Sequence, residues 1–362
     1  MEERLRQCLS DWLDAEIAEA ARLDNLGGHA SLRIYWRVHL PQDLSPPRRY
    51  PRGETTLMAM VLPEGQDPLA SAEGESSDAP RPAELPFVNV QRYLADIGMP
   101  VPSIDHVDME RGVLILEDLG DRLFEHAVLE AEGSEGRLRR YREAIDLLIR
   151  FQVAVEGDEG RECVAFDRRF DGELLRWELE HYREWGLQAQ HGEEATAGVD
   201  RRLDEIFEGI VEELVEAPQT LSLRDYQSRN IMEKKGSWIM IDFQDALMGP
   251  VVYDLVALLR DSYIELDARE VSTLLDYYVE AGAAAGLGWC ADGDQVRRLF
   301  HVQTVQRKLK DAGRFIYIDQ VKGNPSFLDY YGPSIGYVRE ALGALEDDSG
   351  LVEVLREVEP AF

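Results

Sequence analysis

The 362-residue chain carries 39 Lys and Arg residues against 70 Asp and Glu residues, which gives a formal net charge of −31. Without a basic patch, this charge excludes nucleic-acid binding, because neutralising phosphates requires clustered Lys or Arg. It also opposes contact with anionic membranes, and no run of about 18 apolar residues exists to span a bilayer. The N-terminus has no apolar signal core and the three cysteines lie far apart, so we expect a reduced, cytoplasmic protein.

The first quarter of the chain has the composition of β-strands. Residues 32–40 and 55–62 are rich in β-branched and aromatic side chains. Residues 64–86 lack aromatic residues and predict a mobile loop. A helix at 87–97, an extended segment at 101–104 and an apolar strand at 112–120 follow.

The remainder of the chain is predominantly helical in its periodicity. Apolar residues recur at helical spacing in several segments, namely 138–152, 171–186, 198–215, 251–263, 268–286 and 294–313. One β-like stretch, at 220–246, interrupts them. A β-rich N-terminal lobe is therefore predicted to join a larger helical lobe, with the crossing near 117–121.

The β-like interruption contains the most informative chemistry. An apolar strand ends at Asp225, Asn230 follows five residues later, and a Lys-Lys-Gly-Ser turn leads into a strand that ends at Asp242. This spacing predicts that two carboxylates and one amide lie together at one end of a small hairpin. Hard oxygen ligands of this kind suit Mg²⁺, which keeps substrate phosphates as further ligands.

The run Arg224-Asp-Tyr-Gln-Ser-Arg-Asn230, followed by Ile241-Asp-Phe-Gln-Asp245, resembles the catalytic and metal-binding segments of kinase-like phosphotransferases. With residues 116–120, 246–263 and 305–313, it is similar to the aminoglycoside phosphotransferase family. Within that family it resembles the bacterial kinases that phosphorylate the anomeric hydroxyl of N-acetylmuramate or N-acetylglucosamine. The resemblance implies a protein-kinase-like α+β fold with an antiparallel five-stranded sheet and one helix in an N-terminal nucleotide-binding lobe, residues 1–118. A mostly helical catalytic and substrate lobe, residues 119–362, completes the fold, with ATP between the lobes.

The resemblance also implies residue roles in the catalytic loop. Asp225 accepts or orients the proton of the substrate hydroxyl, and Arg224 braces the loop. Asn230 and Asp242 hold Mg²⁺, with Asp245 as an additional carboxylate. Phosphoryl transfer depends on positioning and charge neutralisation, so a short set of residues suffices.

Structural roles are expected for Asp254 and Asp261. Asp254 is expected to anchor the backbone of the catalytic loop from below. Arg260 and Asp261 are expected to pair with each other on a helix face.

The nucleotide site departs from the usual kinase pattern. The backbone at Glu117 and Leu119 is expected to bind adenine. The candidate phosphate loop contains Gly28 and Ser31, although Gly27 fits a helix C-cap equally well. No lysine precedes position 234, so the usual strand lysine is absent, and Arg33 is proposed as its substitute.

A further departure places Leu223 where the family has His, and Leu is expected to fill the same core position. Glu178 and Tyr182, on the acidic and aromatic helix after residue 166, are candidate substrate contacts. An ordinary amphipathic helix explains the same pattern.

Several functions stay open on the sequence. A phosphotransferase acting on a small-molecule amino sugar is the leading one, with an aminoglycoside or another small alcohol as alternative acceptors. A catalytically silent nucleotide-binding pseudokinase is the rival from another class. A hydrolase is disfavoured, because Gly332-Pro-Ser-Ile-Gly336 matches a nucleophile elbow but no His follows Ser334.

Overall fold

The computed structural model describes residues 1–27, 33–43, 55–65, 82–158, 161–346, 349–359 and 362. The predicted phosphate-loop residues Gly28 and Ser31 lie outside the described residues, as does most of the loop predicted at 64–86. The described strands are β1 (Arg22–Gly27), β2 (Ile34–His39), β3 (Thr56–Val61), β4 (Ile104–Asp108), β5 (Val113–Glu117), β6 (Gln219–Ser222), β7 (Ile231–Lys234), β8 (Ser237–Met240) and β9 (Leu247–Pro250). The α-helices are α1 (Glu2–Trp12), α2 (Ala15–Ala20), α3 (Pro86–Asp96), α4 (Phe124–Leu129), α5 (Gly133–Val155), α6 (Gly172–His181), α7 (Ala189–His191), α8 (Glu193–Thr196), α9 (Asp200–Glu216), α10 (Tyr253–Leu259), α11 (Ala268–Ala285), α12 (Gly293–Lys322), α13 (Tyr331–Ala344) and α14 (Leu351–Val358).

The chain divides into two compact units. Unit 1 combines the described residues up to Arg122 with Met232–Ile241, and unit 2 contains the described residues of Leu123–Ile231 and Asp242–Phe362. The boundary at 118/119 stays a prediction.

Unit 1 is built on an antiparallel five-stranded sheet in the order β1-β2-β3-β5-β4. One core of this unit packs α1 and α2 against β2, β3 and β5, around buried residues such as Leu9, Val38 and Ile115. On β3, Met58 and Met60 pair with Leu116 and Leu114, and this strand contains no lysine, as predicted from the sequence.

Some local expectations for unit 1 are wrong. Three helices accompany the sheet in the described residues, instead of one. The segment before Gly28 is a strand, so Gly27 ends β1 with φ of 78° and does not cap a helix. The extended segment expected at 101–104 contributes only Ile104 to a strand, which continues to Asp108.

Unit 2 is mostly helical and is organised around the 30-residue helix α12. Its core joins apolar residues of α6, α9, α12, α13 and α14, including Leu179, Phe207, Val305, Val338 and Leu355. Strands β6 and β9 pair antiparallel, and the catalytic segment leaves this pair at Ser222.

Local sequence explains where several helices of unit 2 begin and end. Asp267 and Glu270 form a capping box at the start of α11, and Gly286 ends it in the left-handed region. Between α6 and α7, Tyr182–Gln188 form a π-helix. Gly186 is required there, because any side chain at this position would collide with the ring of Tyr182. Segments of this kind are frequent at functional sites.

No helix of the described residues is both long and apolar enough to cross a membrane. Cys8, Cys163 and Cys290 are all buried, and none of them forms a disulfide in the described part of the chain.

Candidate active site

The loop that carries Asp225 is held in an uncommon backbone conformation. Arg224, directly before Asp225, has φ of 74°, which is uncommon for a residue with a side chain. Its N–H donates to Asp254 Oδ1 at 3.0 Å, and its carbonyl oxygen accepts from Arg307 Nη1 at 2.8 Å. The peptide groups on both sides of the strained residue are therefore fixed.

Asp254, near the start of α10, anchors this loop as expected. Its Oδ2 accepts from the N–H of Leu223 at 2.7 Å, beside the bond to Arg224. The side chain is 2% exposed, and burial raises its pKa to about 7, although both hydrogen bonds favour the ionised form. Leu223 itself is buried, as expected for a residue that replaces His in a core position.

Asp261 braces the other end of the loop, and the expected pairing with Arg260 is wrong. Asp261 accepts from the N–H groups of Ser228 at 2.8 Å and Tyr263 at 3.0 Å, and burial raises its pKa. Arg260 binds Glu340 at 2.8 Å instead. The two side chains point to different partners, because Arg260 is the C-cap residue of α10, whereas Asp261 lies beyond the helix and accepts from the backbone of the loop.

Asp225 lies between this rigid framework and solvent. Its side chain is 40% exposed, and Oδ1 accepts from Arg307 Nη2 at 3.2 Å. Arg307 projects from α12 with its side chain only 5% exposed, and its guanidinium lies over the ring of Tyr253 at 4.9 Å. Asp225 is therefore accessible on one side and oriented by a buried cation on the other.

Asn230, Asp242 and Asp245 form one polar cluster in unit 2. Asn230 Nδ2 donates to the carbonyl of Asp225 at 2.9 Å and lies 3.4 Å from Asp242 Oδ2. Gln244 Nε2 donates to Asp242 Oδ1 at 3.0 Å and to Asp245 Oδ2 at 2.9 Å, so one buried amide aligns both carboxylates. Asp242 has φ of 61°, a second strained residue at this cluster.

The donor chemistry of this cluster fits a magnesium ion. It gathers an amide and two carboxylates, and these groups offer hard oxygen ligands. The buried Gln244 would orient the carboxylates around an ion.

The two predicted substrate contacts are not accessible. Glu178 is 1% exposed, accepts from Gln306 Nε2 at 2.7 Å and lies 3.7 Å from the guanidinium of Arg224. Tyr182 is fully buried in the core of unit 2. Substrate contact through these side chains is therefore not supported, because Glu178 on α6 contacts Gln306 of α12 and Tyr182 of the π-helix lies in the core. Glu178 instead supports Arg224.

In unit 1, two cations bind the segment predicted to hold adenine. Lys234 Nζ donates to Glu117 Oε1 at 2.7 Å and to the carbonyl of Asp118 at 2.8 Å. Arg37 binds both oxygens of Asp118 and also binds Asp121. Leu119 is buried within the same segment, and Arg33 is half-buried directly before β2.

Two other clusters have structural explanations. Cys8, His106 and Asp108 lie together, but Arg111 binds both oxygens of Asp108, and burial raises the pKa of Cys8 to about 12, which disfavours a metal-binding thiolate. Ser334 lies inside α13 and is 1% exposed, so the elbow-like motif is part of a helix.

The comparisons with known proteins agree with this geometry. Residues 73–289 match the Phosphotransferase enzyme family. An N-acetylmuramate/N-acetylglucosamine kinase of Pseudomonas putida is 30% identical over 284 residues, which are 78% of this chain and 80% of the relative. A kinase of the same name from Neisseria meningitidis serogroup B is 33% identical over 262 residues, 70% of this chain and 76% of the relative. The crystal structure of a choline kinase from Streptococcus pneumoniae superposes with a TM-score of 0.56 at 15% identity, covering 96% of this chain and 99% of that one.

Fold and site together define a kinase-like phosphotransferase, and the predicted protein-kinase-like α+β fold is confirmed. The chain belongs to the phosphotransferase enzyme family, as its motifs predicted. It is an enzyme that transfers phosphate to a hydroxyl group of a small molecule. The pseudokinase alternative is not favoured, because the relatives are named as kinases.

Two residues that organise the site, Arg307 and Gln244, were not predicted from the sequence, and Glu178 was predicted in a different role. Arg307 lies within the 305–313 segment that carried part of the family resemblance, but nothing in its spacing connects it to Asp225. Gln244 and Glu178 carry no local signal of their bridging roles. A concentration of cations on one helix of a very acidic chain is the signal that would have pointed to Arg307.

Proposed function

We propose that the protein is an ATP- and Mg²⁺-dependent kinase that phosphorylates amino sugars of the N-acetylmuramate and N-acetylglucosamine type. The observation that carries the proposal is the braced loop, which presents a partly exposed Asp225 next to the Asn230–Asp242 cluster. The names of the relatives support the acceptor class.

In this reaction Asp225 accepts the proton of the sugar hydroxyl as the hydroxyl oxygen bonds to the γ-phosphorus of ATP. The bond between that phosphorus and the β,γ-bridging oxygen breaks, and ADP leaves with the bridging oxygen. Arg307 orients the Asp225 carboxylate, and Arg224 with Asp254 fixes its backbone.

Asn230 and Asp242 would hold Mg²⁺, with Asp245 as an additional carboxylate, and the bound ion would neutralise phosphate charge. The backbone at Glu117 and Leu119 binds adenine in this proposal, and Arg33 contributes positive charge toward phosphate. Gly28 and Ser31 stay predicted phosphate-loop residues.

The test is ADP release by the purified full chain with Mg·ATP and four acceptors: N-acetylmuramate, N-acetylglucosamine, a kanamycin-type aminoglycoside and choline. We expect turnover with the two amino sugars. Asp225→Asn should abolish turnover and retain ATP binding, whereas Asp294→Asn, an exposed acid on α12, should behave as wild type. Turnover of only the aminoglycoside or choline would reject the acceptor class, and full activity of Asp225→Asn would reject the mechanism.

A further inference from the structure

Cations are concentrated on α12 beside the candidate catalytic carboxylate. The whole chain contains only five lysines, and three of them, Lys308, Lys310 and Lys322, lie on this one helix. Arg307 contacts Asp225 and lies over the ring of Tyr253, and Lys310 is one helical turn farther along α12. In a protein with a net charge of −31, such a local reversal of sign requires a specific explanation.

Two of these cations have complete structural roles. Arg307 donates to the backbone of Arg224 and to Asp225. Lys308 is 1% exposed and donates to Ser262 Oγ and Asp311 Oδ2, both at 2.9 Å. Because both side chains are also buried, neither is accessible to a ligand.

Lys310 differs from its neighbours. Its side chain is 19% exposed, and Nζ lies 3.1 Å from Asp311 Oδ1, on a carboxylate that it shares with Lys308. An ammonium group has three N–H donors, so donors stay available on Lys310. Burial opposes its charge, but Asp311, Tyr253 and Glu178 hold its pKa above the usual value, so it is cationic at neutral pH.

An aromatic surface lies farther along the same side of α12. Tyr317 is 5.4 Å from the ring of His181 and 5.1 Å from that of Trp185, and Trp177 stacks on His181 at 5.6 Å. Gly313 holds α12 against this segment, because a methyl group there would lie 2.8 Å from the carbonyl oxygen of His181. The Trp177 and Trp185 side chains and Tyr317 are all partly exposed.

Helical geometry places these groups in one stripe. At 100° per residue, Arg307, Lys310, Gly313 and Tyr317 fall within about 120° of the helix circumference. At 1.5 Å per residue, Lys310 lies about 5 Å and Tyr317 about 15 Å along the axis from Arg307. Lys310 thus follows one helical turn after the residue that orients Asp225, and the aromatic surface lies farther along the helix.

We propose that Lys310 binds the carboxylate of an anionic amino-sugar acceptor whose reacting hydroxyl lies at Asp225. This rests on the proposed function and makes Lys310 a specificity-determining residue. N-acetylmuramate carries a lactyl carboxylate that N-acetylglucosamine lacks. A charge-assisted bond to a partly buried ammonium would favour the acid.

The experiment compares three acceptors, namely N-acetylmuramate, its neutral methyl ester and N-acetylglucosamine, at saturating ATP. For the wild type we expect a KM for the acid about 10-fold below that for the ester, which corresponds to about 1.4 kcal/mol. Lys310→Met should raise the KM for the acid to that of the ester. For the same variant, kcat/KM for N-acetylglucosamine and the KM for ATP should stay within about twofold of the wild-type values. Lys310→Arg should keep most of the preference, and Lys235→Met, which removes an exposed lysine of the β7–β8 turn, should change nothing.

Equal KM values for acid and ester in the wild type would overturn the proposal without any variant. If Lys310→Met lowers kcat/KM equally for all three acceptors, or raises the KM for ATP, the proposal is also overturned, because a phosphate contact or a folding defect predicts that result. If the wild type phosphorylates N-acetylglucosamine with no effect of the carboxylate, this inference alone fails. If the wild type phosphorylates neither amino sugar, both the proposed function and this inference are rejected.

Discussion

A buried carboxylate beneath the candidate catalytic loop makes the stability of this protein depend on pH. Burial raises the pKa of Asp254 from 3.8 to about 7, against the effect of the two backbone N–H groups that it binds. Between these values the folded chain holds a proton that the unfolded chain has released. The free energy of unfolding therefore falls as pH rises through this window, by about 1.4 kcal/mol per pH unit, and the loss is complete above the raised pKa.

Asp254→Asn removes this titration, because an amide does not ionise. From pH 5 to pH 8 the wild type should lose about 3 kcal/mol relative to the variant, since about two pH units of the window lie in this range. Denaturant unfolding at pH 5, 6, 7 and 8 measures the difference between the two proteins. Asp261 also has a raised pKa, but it is present in both proteins and cancels. Asp294→Asn is the matched control, because that carboxylate is exposed.

A wild-type-minus-variant difference that stays constant from pH 5 to 8 would refute this reasoning. A difference that grows in favour of the wild type would show that the two hydrogen bonds outweigh burial. The variant should also lose about 10-fold in kcat, because a single amide oxygen cannot satisfy the N–H groups of both Leu223 and Arg224.

Three further changes test other parts of the molecule. Gln244→Ala should weaken Mg²⁺ binding about 10-fold, measured by titration calorimetry, because Asp242 and Asp245 lose the amide that aligns them. Gly313→Ala should lower the free energy of unfolding by about 1–3 kcal/mol, because its methyl group would meet backbone atoms at 2.8 Å. Gly343→Ala, with nothing within 4 Å, is its control and should be neutral or slightly stabilising in the same unfolding assay. Lys234→Met should lower the free energy of unfolding by about 2 kcal/mol, because the predicted adenine segment loses two charged hydrogen bonds. For the same reason it should raise the KM for ATP without changing the KM for the acceptor. An unchanged KM for ATP would reject that role for residues 117–119.

The catalytic segment was predictable because its chemistry is local in sequence. Asp225, Asn230 and Asp242 lie within 18 residues, and a strand, a loop and a hairpin bring such residues together without long-range information. The strand composition of 32–40 and 55–62 likewise predicted β2 and β3. The helical periodicity of 294–313 predicted α12, although the helix continues to Lys322.

The errors arose where long-range packing decides the partner of a side chain. Asp261 and Arg260 are adjacent in sequence, yet one binds the loop at Ser228 and the other binds Glu340, 80 residues away. Tyr182 looked like an exposed aromatic residue of an amphipathic helix, but the π-helix turns it into the core. Local periodicity does not carry this information.

The sequence by itself determined the family, the class of reaction and the absence of a strand lysine, because each depends only on which residues are present and on their spacing over short segments of the chain. The tertiary structure decided which groups hold Asp225 in place. Arg307 is 82 residues from Asp225, and Asp254 reaches Arg224 across 30 residues, so only chain packing brings them within hydrogen-bond distance. The structure also distinguished Lys310 from Arg307 and Lys308, since the exposure and the partners of a cation depend on the elements packed around it.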